Sequence, residues 1–233
     1  MDLGLTNKVA VVTGASKGIG LAVTRALIEE GAYVVAGART GEALEGIERV
    51  TAVALDLAAP EGPAALIERA VDEHGRVDVL VNNVGGVRLR LEGFLGTSDD
   101  EFEWSMQLNF FAALRAIRAA LGPMVEQGGG AIVCVGAKAA LLPFKGSPGY
   151  NVAKAAVVAF VRSLAIDYRD DGIRANAVLP SVIDTAANRQ QMPKADHAKW
   201  VPPVQIARVI RFLCSPDSAP TSGAAIPVYG RAG

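Results

Sequence analysis

Cysteine is scarce in this chain. Only Cys134 and Cys214 occur among its 233 residues, and neither belongs to a CxxC pair or a His/Cys cluster with metal-ligand spacing. That excludes a disulfide framework and a structural zinc. Histidine is as rare: His74 and His197 stand apart without a partner pattern, so no metal is expected. A surplus of one charge is missing too. Lys and Arg number 23 against 24 Asp and Glu, a net charge of −1, which argues against the broad basic surface that duplex nucleic acid requires. Met1 to Lys8 lack a basic stretch leading into an apolar one, and no uninterrupted apolar run of about 18 residues occurs. Neither export nor membrane spanning is expected; a cytoplasmic protein with a small-molecule partner is. Linkers, repeats and low-complexity tracts are absent as well, so residues 1–233 read as a single domain.

What the chain has is apolar material, 51% of its residues, in regular alternation. Short apolar runs at 9–13, 33–36, 51–55, 77–82, 131–135, 174–179 and 225–228 alternate with amphipathic segments at 19–30, 42–48, 61–73, 99–126, 149–168 and 205–214. Runs rich in Val, Ile and Ala without polar alternation predict strands buried on both faces of a parallel sheet. Right-handed crossovers then place helices on either side: an α/β, three-layer, doubly wound Rossmann fold with a seven-stranded parallel sheet. Gly128–Gly130 reads as a helix stop before the fifth strand. Residues 181–203, which lack a core period, read as a lid over a site or as a mobile surface loop.

The first strand runs directly into Thr13-Gly14-Ala15-Ser16-Lys17-Gly18-Ile19-Gly20, which opens the first helix. Glycines there allow a tight turn and close backbone approach to a pyrophosphate, and the helix N-terminus supplies N–H donors and partial positive charge. The second strand ends in Ala36-Gly37-Ala38-Arg39, where an acidic residue would grip the adenosine ribose diol of NAD(H). Arg39, with Lys17 in the glycine loop, would instead pair a 2′-phosphate, which favours NADP(H) over NAD(H); the bland alternative is two solvated cations. Asp56, closing the third strand beside Leu57, could accept a hydrogen bond from the adenine amino group or cap the following helix. Asn83 and Gly85, closing the fourth strand, are expected near the adenosine.

Tyr150 and Lys154 lie four residues apart at the start of a predicted helix and so share one face. A phenol with an ordinary pKa near 10 is a poor proton shuttle at neutral pH, and a neighbouring ammonium favours its ionised form. Lys154 could also hold a nicotinamide ribose. Asn109, before the fifth strand, could bind a water that links Lys154 to solvent.

With TGASKGIG, NNVG, Asn109, YNVAK and Pro180-Ser181-Val182-Ile183-Asp184-Thr185 in order and spacing, the chain resembles the short-chain dehydrogenase/reductase superfamily over essentially its whole length. The resemblance implies catalytic roles for Asn109, Tyr150 and Lys154, carboxamide contacts from Ile183 and Thr185, and a homodimer or homotetramer formed through the helices near 99–126 and 149–168. The superfamily's serine, thirteen positions before the tyrosine, falls on Ala137; Ser147 is too close to Tyr150 to replace it. Residues 136–141 and 184–196, followed by Trp200, are similar to quinoid dihydropteridine reductases, which keep Tyr and Lys and lack the serine. Arg39 and Val87 depart from that group, which carries an acidic residue and an aromatic there.

Losing one hydroxyl donor costs a developing oxyanion about 2–4 kcal/mol, whereas a quinonoid or iminium acceptor carries its own electron sink. Ala137 therefore points to reduction of a small, flat, conjugated acceptor. A ketone or alcohol oxidoreductase of 3-oxoacyl-reductase type is the alternative, and a non-catalytic NADP-binding sensor or scaffold is a reading of another class. Ala137, Lys138, Met192 and Trp200 are candidate substrate contacts, although Met192 and Trp200 serve equally as ordinary packing. Arg88 and Arg90 read as solvated loop charges, and Cys134 as a small buried residue near the site.

Overall fold

The computed structural model describes residues 3–90 and 92–231. Among these, seven strands form one sheet: β1 Val9–Thr13, β2 Tyr33–Ala38, β3 Val50–Ala54, β4 Val79–Asn82, β5 Gly130–Val135, β6 Ile173–Pro180 and β7 Ala225–Val228. Every pairing is parallel, in the order β3-β2-β1-β4-β5-β6-β7. The helices are α1 Gly18–Glu29, α2 Gly62–His74, α3 Asp99–Met106, α4 Ala112–Glu126, α5 Pro148–Asp167, α6 Ala186–Gln191 and α7 Pro203–Cys214.

The continuous apolar runs have a direct cause. Every residue of β1 is buried, with successive side chains feeding opposite cores. Ala10 and Val12 join Val23 and Leu27 of α1 and Ile206 and Ile210 of α7. Val9 and Val11 join Leu66 of α2, Ile117 of α4 and Val161 of α5. Helices thus cover both faces, and strand order reverses between β1 and β4. In an open α/β sheet such a reversal is where a ligand binds, beyond the carboxyl ends of the strands.

At the opposite end, Asp78 ties the strands together. Its carboxylate accepts from the Val9 backbone N–H at 2.9 Å and from Arg76 at 2.6 and 2.9 Å, with Lys8 Nζ at 3.3 Å. Burial pushes this carboxyl up, but the Arg76 and Val9 hydrogen bonds and the Lys8 charge together hold it below the ordinary carboxylate value.

Two expectations change and a third is qualified. The amphipathic segment at 42–48 makes only a single 3₁₀ turn, Glu42–Leu44, because Gly46 at φ +72° and Arg49 at φ +63° turn the chain into β3. The 99–126 segment is continuous but not uniform: α3 and α4 join through a π-helical stretch, Gln107–Phe111, centred on Asn109. That segment and Pro148–Asp167 also have the length and mean hydropathy, 1.2 each, of membrane spans. Ala, Leu and Val interspersed with charges produce this value without an unbroken apolar run, and in the fold both helices contribute to the core on one sheet face.

Candidate active site

The glycine loop is shaped by contacts that leave no room for side chains. A Cβ on Gly20 would lie 2.1 Å from the Gly14 carbonyl oxygen, and Gly14 and Gly18 sit at φ +66° and +55°. Lys17 begins α1 without capping it through its side chain, so the first-turn N–H groups face outward as anion donors. This cradle fits a dinucleotide pyrophosphate. Ile19 and Leu57 turn their side chains into the two cores, so only their backbone can serve such a ligand closely, while Ser16 is half-buried in the loop. The loop is tied to the end of β2 by the Ala15 N–H on the Gly37 carbonyl at 3.0 Å, and Lys17 and Arg39 each follow that link by two positions. Both are exposed, and among the described residues neither pairs with a carboxylate. Asp56 is exposed at the same edge; its carboxylate accepts from the Ala58 N–H at 3.0 Å, while Glu61 and not Asp56 precedes α2.

Thr13, quoted in the motif but assigned no role from sequence, joins the two loops that leave β1 and β4. Its hydroxyl oxygen accepts from the Asn83 and Val84 N–H groups at 2.9 and 3.3 Å. The Asn83 side-chain amide donates to the Thr13 and Gly14 carbonyls at 3.2 and 3.0 Å, so Asn83 braces the glycine loop from behind. Gly85 lies at the reacting end and not by the adenosine edge: a Cβ there would meet Asn109 Oδ1 at 2.8 Å and Lys154 Nζ at 3.1 Å.

Asn109, Lys154 and Tyr150 are therefore brought together. Asn109 Oδ1 accepts from the Gly86 N–H at 3.0 Å, and its Nδ2 donates to the Gly86 and Ser105 carbonyls at 2.9 and 3.0 Å. The side chain thus clamps the β4 loop through both its amide oxygen and its amide nitrogen. The π-helical turn that presents Asn109 is a frequent device at functional sites, and its irregular register leaves no signature in an apolar periodicity. Lys154 Nζ donates to the Val135 carbonyl at 2.8 Å and lies 5.7 Å from the centre of the Tyr150 ring. Burial pulls this ammonium down to about 8 and pushes the Tyr150 phenol up to about 12. The expected lowering of Tyr150 by Lys154 is thus overturned here, because desolvation outweighs an ammonium that has turned to a carbonyl. A phenol held protonated beside a buried amine is arranged to donate a proton.

The short chain dehydrogenase family model matches residues 8–196. The chain belongs to that family. Its glycine cradle and fold are those of an NAD(P)H-dependent oxidoreductase acting on small molecules. This short-chain dehydrogenase is 32% identical over 241 residues to the 3-oxoacyl-[acyl-carrier-protein] reductase FabG of Vibrio cholerae, covering 98% of both chains. L-sorbose reductase of Gluconobacter frateurii, solved with NADPH and L-sorbose, superposes with a TM-score of 0.90 at 32% identity, covering 99% of this chain and 98% of that one. A short-chain oxidoreductase of Pseudomonas aeruginosa PAO1, described as containing an atypical catalytic center, superposes at 0.88 with 31% identity, covering 99% and 98%.

On the substrate side of this short-chain dehydrogenase, Ala137 is buried at the end of β5 and starts the 3₁₀ turn Lys138–Ala140. Its methyl group offers no donor. Ser147 does not replace one, since its hydroxyl donates to the Arg88 carbonyl at 3.3 Å. Cys134 is inert by burial, its thiol pushed up to about 12. The Lys138 ammonium lies 5.1 Å from the Tyr229 ring centre.

Residues 181–203 are more ordered than a mobile loop. Ile183 bridges to Val201, Thr185 Oγ1 caps α6 by accepting from the Asn188 N–H at 3.2 Å, and Arg189 forks onto Asp184 at 2.6 and 2.9 Å. The Thr185 methyl is 3.7 Å from where a Gly18 Cβ would stand, so this segment starts against the glycine loop. Met192 is exposed, as a ligand contact requires. Trp200 is not: it is buried and packs on His197 at 4.4 Å between ring centres, which fulfils the packing alternative and removes it as a lid surface.

Proposed function

We propose that this chain is a single-domain, NADPH-dependent reductase that delivers hydride to a small, flat, conjugated acceptor, a quinonoid or cyclic imine. The observation that carries this reading is Ala137: the position to which the family resemblance assigns a carbonyl-polarising hydroxyl offers only a methyl group, and the Ser147 hydroxyl is engaged elsewhere. NADPH, when bound, supplies the hydride. Tyr150, protonated throughout the neutral range, donates the proton to the reduced acceptor. Lys154 holds the ribose near Tyr150 and, as the stronger acid of the pair, returns a proton to the phenolate that Tyr150 leaves behind. Asn109 positions the β4 loop, and through Gly85 the space beside Lys154. Lys17 and Arg39, exposed and without carboxylate partners among the described residues, select the 2′-phosphate, with Asp56 at the adenine and Ile183 and Thr185 at the carboxamide.

A second reading, carbonyl reduction, is favoured by the end-to-end similarity to the 3-oxoacyl reductase and by the likeness to L-sorbose reductase. Under either reading the protein works in the cytoplasm as a homodimer or homotetramer, joined through the outward faces of the two long helices. The deciding experiment follows NADPH and NADH oxidation against quinonoid dihydropterins and cyclic imines paired with matched ketones, with Tyr150→Phe as the blank. Turnover of conjugated acceptors alone supports the first reading; turnover of ketones alone replaces it with the second. Tight NADPH binding without turnover of either leaves a sensor or scaffold.

A further inference from the structure

Exposed apolar side chains lie on two linked segments, one of which reaches Tyr150 through Phe144. Leu141, Leu142 and Phe144 follow the turn that begins at Ala137 and are 49%, 58% and 41% exposed. The Phe144 ring lies 6.0 Å from that of Tyr150. Asn151, the next residue along α5, donates from Nδ2 to the Phe144 carbonyl at 2.8 Å and so fixes this segment against the helix. Val87 and Leu89, 46% and 53% exposed, lie on the loop after β4. That loop is joined to the same segment by the Arg90 N–H on the Gly146 carbonyl at 2.7 Å and by the Ser147 hydroxyl on the Arg88 carbonyl.

Charges that would oppose an apolar ligand are drawn aside. Arg90 pairs with Glu101, and the Arg88 guanidinium stands 3.8 Å from the Trp104 ring centre. Lys145, exposed on the same segment, can lay its stem along an apolar ligand and keep its ammonium in water. An apolar rim continuous with a polar reacting centre is the usual make-up of a small-molecule site.

We propose that Leu141, Leu142 and Phe144, with Val87 and Leu89, bind an alkyl or aryl body carried by the acceptor, so that the enzyme selects hydrophobic acceptors over small polar ones. This rests on the reading that hydride transfer occurs beside Tyr150. The substrate is favoured over a second copy of the chain as occupant because the patch is continuous with Tyr150 through the Phe144 ring, whereas the long helices offer separate apolar faces for assembly.

The test is a series of cyclic imines and a series of ketones, each bearing a methyl, butyl or phenyl substituent, followed by NADPH oxidation and by acceptor binding through tryptophan fluorescence. The protein is compared with Leu142→Asp and Phe144→Asp, with Leu142→Ser and Phe144→Ser where Asp prevents folding, and with Val204→Asp on α7 as a control outside the patch. We expect kcat/KM to rise about tenfold from methyl to butyl or phenyl, and both patch variants to flatten that rise below about twofold while retaining NADPH binding; Val204→Asp keeps the rise. A flat series in the unaltered protein overturns the proposal, as does a rise that survives both patch variants. A changed oligomer mass with the rise intact assigns the patch to a second copy and likewise overturns it. If no acceptor is reduced, the hydride reading fails separately: binding graded by substituent and flattened by the variants still supports the apolar surface, and ungraded binding rejects it.

Discussion

The two ends of the sheet treat buried charge in opposite ways. At the amino ends of the strands, Asp78 is ringed by Lys8, Arg76 and the Val9 N–H, and its charged form is favoured despite burial. Arg174 at the same end donates to the carbonyls of Leu213 and Ser215 at 3.0 Å each. At the carboxyl ends, half-buried Tyr150 and buried Lys154 have no countercharge among the described residues, and desolvation disfavours the charged form of both. One end uses ionised groups to hold strands together. The other keeps a protonated phenol near a readily discharged amine, the pair to which the proposed function gives the proton transfer. Burial alone does not set the ends apart, since it also pulls Arg174 down and pushes Cys214 up to about 12; what differs is a paired carboxylate at one end and an unpaired phenol near an amine at the other.

The comparison breaks most visibly at Tyr150. Tyr150→Phe should lower turnover by about 10²- to 10⁴-fold with little change in melting temperature; a melting loss larger than that for any Asp78 variant would mean that both ends are structural. Asp78→Asn should do the reverse. Losing charge-assisted bonds costs about 2–3 kcal/mol, read in urea denaturation, while kcat stays within about twofold of the unaltered protein. Because the Asp78 carboxyl is lowered in the fold, its contribution is present above the ordinary carboxylate pKa and fades as pH falls through the folded value. The stability gap between the unaltered protein and Asp78→Asn should accordingly close in acid.

Past the carboxyl ends of β1 and β2, Lys17 and Arg39 are exposed cations with no carboxylate partner among the described residues, and the proposed function gives them a 2′-phosphate. Arg39→Asp should shift the NADPH/NADH ratio of kcat/KM toward NADH by about 10- to 100-fold, and an unchanged ratio would remove Arg39 as the discriminator. The smallest of these effects is a slope. Lys154 titrates near 8 in the fold against an ordinary value of 10.5, so between those pH values the unfolded chain holds a proton that the folded one has released. Raising pH through that window should stabilise the protein relative to Lys154→Met, measured as the difference between their urea midpoints. An opposite sign would mean that the ammonium is paired in solution.

Much of this architecture was legible in the sequence because parallel strands buried on two faces must be apolar throughout, and the glycine loop must be glycine where a Cβ would strike the Gly14 carbonyl. Helical spacing put Tyr150 and Lys154 on one face, and the glycine loop upstream singled that pair out from an ordinary i, i+4 coincidence. Segment 42–48 misled because its amphipathic pattern is interrupted by a left-handed glycine, and Trp200 because bulk and aromaticity do not reveal which side of a lid a ring faces. The bracing roles of Thr13 and Asn83, the π-helical turn at Asn109 and the Asn151 hold on Phe144 are long-range or irregular hydrogen bonds. No local period encodes them.

The most direct test of the proposed chemistry is NADPH-dependent turnover of conjugated acceptors and matched ketones by the unaltered protein and by Ala137→Ser. If the missing hydroxyl reflects the electronics of the acceptor, the serine should leave reduction of the best quinonoid or imine within about twofold and raise ketone reduction about tenfold or more. A tenfold gain on the best acceptor itself, or ketones already preferred by the unaltered protein, would contradict that assignment.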